Sequence, residues 1–167
     1  MRHPTGFLNS HGSTDIEACP IVPFQEHKST SPFATVLYPT PVTGSGKWMF
    51  EVIISTPGLS QVGWTVPGCQ WTDRDGVGDF HNSFGYDGKR LKLFANGSSK
   101  DYGARWVSGD VIGCCLDLDE STITFYSNGK SLGTIHSRID RMLRYVPGIS
   151  IHSNERVILN VGDFPFM

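Results

Sequence analysis

Apolar residues recur at every second position in two long segments of the chain. Between Lys47 and Thr56 the alternating apolar residues are Trp48, Phe50, Val52 and Ile54. Between Asp110 and Asp119 they are Ile112, Cys114, Leu116 and Leu118. Because successive side chains of an extended strand point to opposite faces, this spacing predicts two strands with one buried face each.

Shorter apolar runs separated by turn residues predict roughly ten strands in all. The predicted strands cover residues 33–38, 47–56, 60–66, 83–87, 90–94, 110–119, 122–126, 131–135, 145–151 and 155–161. Strands 47–56 and 60–66 are expected to form a hairpin around Pro57-Gly58, and Asn128-Gly129 predicts a tight hairpin turn with two positive φ angles. Residues 137–144 have helical spacing, enough for one or two turns of helix.

Many short strands with almost no helix predict an all-β fold, an antiparallel two-sheet β-sandwich. The sandwich is expected to span residues 33–167. Residues 1–32 are rich in Pro, Ser, Thr and His without a period, and are expected to form a flexible or loosely docked N-terminal arm. The predicted core residues are Trp48, Phe50, Trp64, Leu116, Phe125 and Ile149.

Composition narrows the classes of partner and compartment. The formal net charge of the 167 residues is −2, so no basic excess favours nucleic acid. No apolar run is long enough for a membrane span, and the N-terminus has no hydrophobic signal segment. The four cysteines form no C-x-x-C pair, and neighbouring Cys114 and Cys115 should point to opposite faces. We therefore expect free thiols and a cytoplasmic protein without nucleic-acid or membrane partners.

Seven segments, in order along the chain, resemble the SPRY family. They are GKWMFEV (46–52), QVGW (61–64), SFGYDG (83–88), GDVIGC with LD (109–117), FYSNGK with LG (125–133), YVPGIS (145–150) and LNVG (159–162). The resemblance covers about residues 33–167. It implies a concanavalin-like sandwich of two antiparallel sheets whose edge loops bind peptide segments of partner proteins.

Within that family, three further segments resemble the SPRY domain of KPC-type RING-finger ubiquitin ligases: GVGD (76–79), NS (82–83) and YG (102–103). The SPRY insert of DEAD-box helicases and the SPRY repeats of ryanodine receptors are weaker matches. No RING-type zinc array is present in the sequence. The resemblance implies a non-enzymatic domain of a longer protein that recruits substrates for a ubiquitin ligase. A helicase insert, a channel-type scaffold and a lectin-like carbohydrate binder are the alternatives.

The loops at residues 67–82 and 96–106 carry aromatic residues outside the predicted strands. Aromatic side chains in Gly- and Asp-rich loops suit recognition, since they offer large contact area at low entropic cost. The resemblance also implies that His152 belongs to the partner-binding residues, because it aligns with peptide-contacting positions of some SPRY domains. This chain lacks the aromatic-glycine pair that the best-known peptide binders of the family have there. The predicted partner-binding residues are Trp71, Asp73, Phe80, His81, Asn82, Phe94, Asn96, Tyr102, Trp106 and His152.

Three charged clusters suggest other chemistry. Residues 73–79 are similar to a calcium loop, but Val77 and Phe84 occupy positions where an EF-hand needs oxygen ligands. Asp117 and Asp119 share a strand face as glycosidase acids do, but Thr122 stands where a third acid would complete that pattern. A basic spot at Lys89, Arg90 and Lys92 could favour an acidic peptide. We therefore predict no catalytic residue, metal or cofactor, and a monomeric domain with a protein or peptide partner.

Overall fold

Two antiparallel sheets of seven strands each build the fold of the described residues. A computed structural model describes the backbone of residues 9–10, 16–21, 24–29 and 32–167, and the side chains of residues 32–167. The strands are β1 (Asn9–Ser10), β2 (Ile16–Ile21), β3 (Phe24–Ser29), β4 (Phe33–Leu37), β5 (Lys47–Ile54), β6 (Ser60–Thr65), β7 (Phe84–Asp87), β8 (Lys92–Ala95), β9 (Ser98–Asp101), β10 (Val111–Asp117), β11 (Thr122–Ser127), β12 (Lys130–His136), β13 (Val146–His152) and β14 (Arg156–Asn160). Sheet I has the order β12-β11-β10-β5-β14-β3-β2, and sheet II has the order β1-β4-β13-β6-β7-β8-β9. The predicted all-β sandwich is confirmed.

The core lies between the sheets, where the alternating apolar residues of both meet. Phe50 of sheet I and Trp64 of sheet II pack edge to face with ring centroids 5.2 Å apart. The Trp64 indole N–H donates to the Cys114 carbonyl oxygen at 3.1 Å, which satisfies a buried polar group. Trp48, predicted as a core residue, is only partly buried and packs against the margin of the core.

The two adjacent cysteines of β10 point to opposite faces, as predicted. Cys114 belongs to the core cluster, whereas Cys115 is buried outside it. Burial raises the pKa of both thiols, that of Cys115 to about 11. Together with Cys69, they are free thiols among the residues with described side chains.

The predicted hairpin between residues 47–56 and 60–66 is wrong. β5 pairs with β10 and β14 in sheet I, whereas β6 pairs with β7 and β13 in sheet II. The intervening residues 55–59 carry the chain from one sheet to the other, so that the apolar faces of the two strands oppose each other across the core. A Pro-Gly turn signal is compatible with both connections, and local sequence does not distinguish them.

The structure confirms one predicted hairpin turn and corrects two other predictions. Asn128 and Gly129 have φ angles of 49° and 76° between β11 and β12, and the predicted strands at 83–87 and 90–94 are present and pair as β7 and β8. Residues 137–144 form irregular backbone and a turn, not helix; Asp140 Oδ1 accepts the Met142 backbone N–H at 2.9 Å, a local contact that competes with helical bonding. β9 was not predicted, because all four of its residues are polar and exposed.

The predicted arm of residues 1–32 lies partly outside the described residues. Its described backbone contains β1, β2 and β3, and β3 extends sheet I by pairing with β14. A flexible or loosely docked arm stays a prediction.

Candidate functional site

The loop of residues 67–82, here called the covering loop, lies across the outer face of sheet II. Val77 of this loop is fully buried. The sheet positions beneath it are glycines: a Cβ at Gly85 would lie 1.9 Å from the Val77 carbonyl oxygen, and one at Gly148 would lie 2.9 Å from Val77 Cγ2. The absence of side chains at these two strand positions therefore makes room for the covering loop.

Buried hydrogen bonds hold the covering loop in place. Ser150 Oγ accepts the Val77 backbone N–H at 2.9 Å and lies 2.8 Å from Thr35 Oγ1. Ser83 Oγ accepts the Gly78 N–H at 2.7 Å. Since buried backbone donors are costly to leave unpaired, these contacts fix the path of the loop.

A pocket of about 300 Å³ opens where the covering loop meets one end of sheet II. Its wall combines the covering loop with residues at the beginning of β4 and β6, the end of β13 and the turn after β7. The lining residues are Pro32, Phe33, Leu59, Gln61, Asp73, Arg74, Asp79, Arg90 and His152. The pocket is thus built by loops and strand ends that a rigid sandwich positions.

The charge of Arg90 is held in place by a buried carboxylate. Asp87 is fully buried and accepts hydrogen bonds from the backbone N–H groups of Lys89 and Arg90 at 2.7 and 2.9 Å. Its second oxygen lies 2.5 Å from Arg90 Nε. The Arg90 guanidinium also lies over the Phe94 ring, 4.4 Å from the centroid. Arg90 is therefore pre-positioned at the pocket rim.

Asp79 and Gln61 form the polar interior of the pocket. Burial raises the pKa of the Asp79 carboxyl, and nearby Asp75 raises it further. The Gly76 N–H, which donates to Asp79 Oδ2 at 2.7 Å, lowers that pKa, as do the Gln61 amide and Arg90. Gln61 is 1% exposed, and neither its Oε1 nor its Nε2 makes a hydrogen bond of normal geometry.

Five predicted site residues belong to the covering loop or contact it. Trp71 and Phe80 pack edge to face with ring centroids 4.9 Å apart, and both are partly exposed. Asn96 Oδ1 accepts the Asn82 backbone N–H at 2.8 Å, which joins the covering loop to the turn between β8 and β9. Phe94 lies under the Arg90 guanidinium.

Asp73 and His152, also predicted, line the pocket itself, and His81 is exposed on the covering loop. Asp73, His81 and His152 thus lie on the covering loop or at the pocket end of sheet II, whereas Asn82 and Asn96 lie at the opposite end of β7 and β8. Their role in binding a partner stays a prediction.

Trp106 does not fit the predicted partner surface. It is 2% exposed and packs edge to face on Tyr86, with ring centroids 5.4 Å apart, so its indole belongs to the core. Tyr102 is partly buried against Tyr86 and Phe125, and its hydroxyl donates to the Gly133 carbonyl oxygen at 2.6 Å. Burial raises the pKa of Tyr102 to about 12. Tyr102 thus spans the two sheets instead of joining the other loop aromatics.

Several pocket residues were not identified from the sequence. Phe33, Leu59, Gln61, Arg74 and Asp79 line the pocket, but none of them was predicted as a partner-binding residue. Gln61 carried no clear signal, since Ser60 and Thr65 of the same strand are polar as well. Its burial depends on the covering loop, which local sequence does not place.

The other charged clusters serve local structure. Asp117 Oδ1 accepts the backbone N–H groups of Asp119 and Glu120 at 3.1 and 2.9 Å, so it stabilises a turn. In the basic spot, Lys92 Nζ lies 2.7 Å from Asp101 Oδ1. Among the described residues there is no group of three potential metal ligands, and none of their segments forms a helix able to cross a membrane.

These features define a class of protein, a β-sandwich that carries a loop-built pocket at one end of a sheet. The SPRY domain family matches residues 47–164, and the chain belongs to that family. SPRY domains are generally non-catalytic protein-interaction modules. The SPRY domain of human HERC1 superposes with a TM-score of 0.69 at 20% identity, over 85% of this chain and 90% of that chain, which supports the fold alone.

The chain is also similar to segments of three longer relatives. It is 45% identical over 124 residues to the E3 ubiquitin-protein ligase RKP of Arabidopsis thaliana, covering 72% of this chain and 10% of the ligase. It is 33% identical over 129 residues to the ATP-dependent RNA helicase Ddx1 of Drosophila melanogaster, covering 76% of this chain and 17% of the helicase. It is 30% identical over 164 residues to Ran-binding protein 9 of Xenopus tropicalis, covering 95% of this chain and 28% of that protein. The chain therefore spans only a small part of these relatives.

Proposed function

We propose that this domain binds a protein or peptide partner in the pocket at the end of sheet II, without catalysing a reaction itself. The observation that carries the proposal is the pocket of about 300 Å³, whose rim presents Asp73, Arg74, Arg90 and His152 around a partly apolar interior. Apolar walls with a few fixed polar groups are typical of recognition sites. The proposed ligand is a short segment of a partner that lies across the rim and inserts a side chain.

The partner is proposed to be a substrate of a larger ubiquitin ligase of which this domain is one part. The 45% identity to the E3 ubiquitin-protein ligase RKP supports this assignment. In the proposed arrangement the domain acts in the cytoplasm as a monomer and needs no cofactor. Ubiquitin transfer would belong to other domains of such a ligase.

A second candidate is an insert within an RNA helicase. The 33% identity to the ATP-dependent RNA helicase Ddx1 favours it. The formal net charge of −2 makes direct contact with the RNA backbone unfavourable, so in this case too the domain would bind protein. Neither candidate requires a lectin-like sugar site.

The proposal is tested by affinity capture from cytoplasmic lysate with quantitative mass spectrometry. The wild-type domain is compared with Asp73→Ala/His152→Ala, which removes two exposed rim side chains. Glu120→Ala/Lys130→Ala is the matched control; Glu120 is an exposed turn residue after β10, and Lys130 is the exposed first residue of β12. We expect a protein that wild type and control retain and the rim variant loses, with direct binding confirmed by calorimetry on purified components. Equal capture of the same protein by wild type, the rim variant and the control variant would place the binding surface elsewhere.

A further inference from the structure

The interior of the pocket contains a polar atom that lacks a partner. Gln61 is 1% exposed and lines the pocket. Its amide interacts with Asp79 and lowers the pKa of that carboxyl, whereas its Oε1 has no hydrogen bond of normal geometry. A buried amide in this state costs free energy relative to one that is paired. A ligand group that enters the pocket and bonds to Gln61 would remove that cost.

The charged residues around Gln61 determine whether a positive or a negative ligand group would bind there. Asp73, Asp79, Arg74 and Arg90 are the aspartates and arginines that line the pocket, and the fully buried Asp87 pairs with Arg90 from behind it. The two carboxylates and two guanidinium groups of the lining balance in formal charge, so the pairing of each group decides which charge is left uncompensated. Arg90 is bound to Asp87 through Nε at 2.5 Å, and the Arg74 side chain is 91% exposed, 4.0 Å from Asp73. The two arginines are therefore already paired, whereas the half-buried Asp79 has no ion-pair partner within 4.0 Å among the described residues.

Burial and charge thus point to the same ligand. Burial raises the pKa of the Asp79 carboxyl, which agrees with the lack of a close ion-pair partner in the geometry of the described residues. A cation beside Asp79 would compensate this charge, and the Gln61 carbonyl oxygen would accept a second N–H from the same group. Phe33 and Leu59 supply apolar surface against which the carbon chain of a long basic side chain can pack.

We propose that this pocket receives a lysine or arginine side chain of the partner, with Asp79 and the Gln61 amide oxygen accepting its N–H groups. This inference rests on the proposed function, because it names the chemistry of the segment that the pocket binds. It also replaces the acidic ligand that the basic spot around Arg90 suggested. The volume of about 300 Å³ is at the small end of the range for ligand pockets, as a single inserted side chain requires.

The test uses small blocked amino acids as probes. ¹⁵N-labelled domain is titrated with N-acetyl-arginine methylamide, N-acetyl-lysine methylamide and, for comparison, the corresponding glutamine and glutamate derivatives. We expect the two basic probes to shift the Gln61 side-chain NH₂ and Gly76 N–H resonances saturably, and the glutamate probe to leave them unchanged. Equal or stronger shifts with glutamine or glutamate, or no shift with either basic probe at millimolar concentration, would overturn the inference.

Asp79→Asn separates the charge from the shape of the pocket. Asparagine keeps an oxygen that can accept the Gly76 N–H, so the covering loop should stay docked. Removing the charge should weaken binding of the basic probes at least about tenfold. Asp101→Asn removes the same charge from a side chain that is 92% exposed and outside the pocket, and should change nothing. Gln61→Met removes the amide oxygen while keeping a side chain of similar length, and it should weaken binding of the same probes. This variant replaces Asp79→Asn in the test if Asp79→Asn does not fold.

The captured partner distinguishes this inference from the proposed function. If the partner is lost with Asp73→Ala/His152→Ala, and is also lost when the basic residues of its bound segment are changed to glutamine, then the recruitment function and the basic-side-chain pocket are both supported. If it is lost with the rim variant but is indifferent to Asp79→Asn and to those glutamine changes, recruitment stands and the inference fails. If no partner is captured while the basic probes bind and Asp79→Asn abolishes their binding, the pocket chemistry stands and recruitment fails.

Discussion

The hydroxyl group of Ser150 should contribute strongly to the attachment of the covering loop to sheet II. This residue is fully buried, accepts the Val77 N–H at 2.9 Å and lies 2.8 Å from Thr35 Oγ1. Ser150→Ala removes both contacts and adds no bulk. The consequence should reach the pocket, because Asp73 and Asp79 belong to the same loop.

The expected loss of stability follows from two ways in which the loop can respond. If the loop stays docked, the Val77 N–H is buried without a partner, at about 1–3 kcal/mol, and the bond to Thr35 is lost at about 0.5–1.5 kcal/mol. If the loop lifts, water pairs the N–H but the burial of Val77 is lost, at about 1.5–3 kcal/mol, and the bond to Thr35 is lost as well. The domain adopts the cheaper state, so we expect a decrease in the free energy of unfolding of about 1.5–4.5 kcal/mol.

Urea unfolding measures the decrease, and hydrogen exchange of residues 73–82 identifies the response. Faster exchange throughout the loop would indicate lifting, whereas a change restricted to Val77 would indicate a docked loop with an unpaired donor. Ser99→Ala, at an exposed position of β9, is the control and should change stability by less than about 0.5 kcal/mol. A Ser150→Ala effect as small as the control, with unchanged exchange, would refute the reasoning.

Three further predictions concern buried groups outside the pocket. Trp106→Ala should lower the free energy of unfolding by about 3–5 kcal/mol, measured in urea, because a fully buried indole is lost. Tyr102→Phe, which removes the hydrogen bond to the Gly133 carbonyl, should lower it by only about 0.5–1.5 kcal/mol in the same assay, and a larger loss would show that the hydroxyl does more than bridge the sheets. Burial raises the pKa of Glu51 above 4.5, even though it accepts the Met167 N–H at 2.8 Å. Folding therefore favours the protonated form of Glu51, and this contribution to stability is lost as the pH rises from 4.5 through the raised pKa. Over that interval Glu51→Gln should become progressively more stable relative to wild type, as measured by urea unfolding at several pH values. A difference in stability that stays constant with pH would contradict the predicted sign.

The sequence predicts the fold where a pattern is local. Alternation in β5 and β10 and the Asn128-Gly129 turn report on a few neighbouring residues, and each predicted strand or turn is present. The pairing of β6 is not local, because residues 55–59 can close a hairpin or cross between sheets with the same turn chemistry. β9 has no apolar residue, so its place in sheet II follows from backbone pairing with β8 alone.

The candidate site was predictable only in part, because exposure is a tertiary property. Trp71 and Trp106 have the same sequence signature, an indole in a polar loop, yet Trp71 is partly exposed and Trp106 is buried against Tyr86. Gln61 shows the converse, since its strand position faces away from the core and would be exposed if the covering loop did not lie above it. Composition identified the region, but the loop path decides which side chains line the pocket.

The outer face of sheet II explains why fold and recognition can vary separately in this domain. Beneath the covering loop, Gly85, Gly148 and Ser150 are fitted to Val77, where a single added Cβ at Gly85 would lie 1.9 Å from a backbone oxygen. At the pocket rim, by contrast, the side chains of Asp73 and His152 are exposed, and His152 takes part in sheet II through its backbone at the end of β13. Substitutions at the first set should therefore disturb loop docking before they affect any ligand, whereas substitutions at the second should change the ligand and leave the sandwich intact.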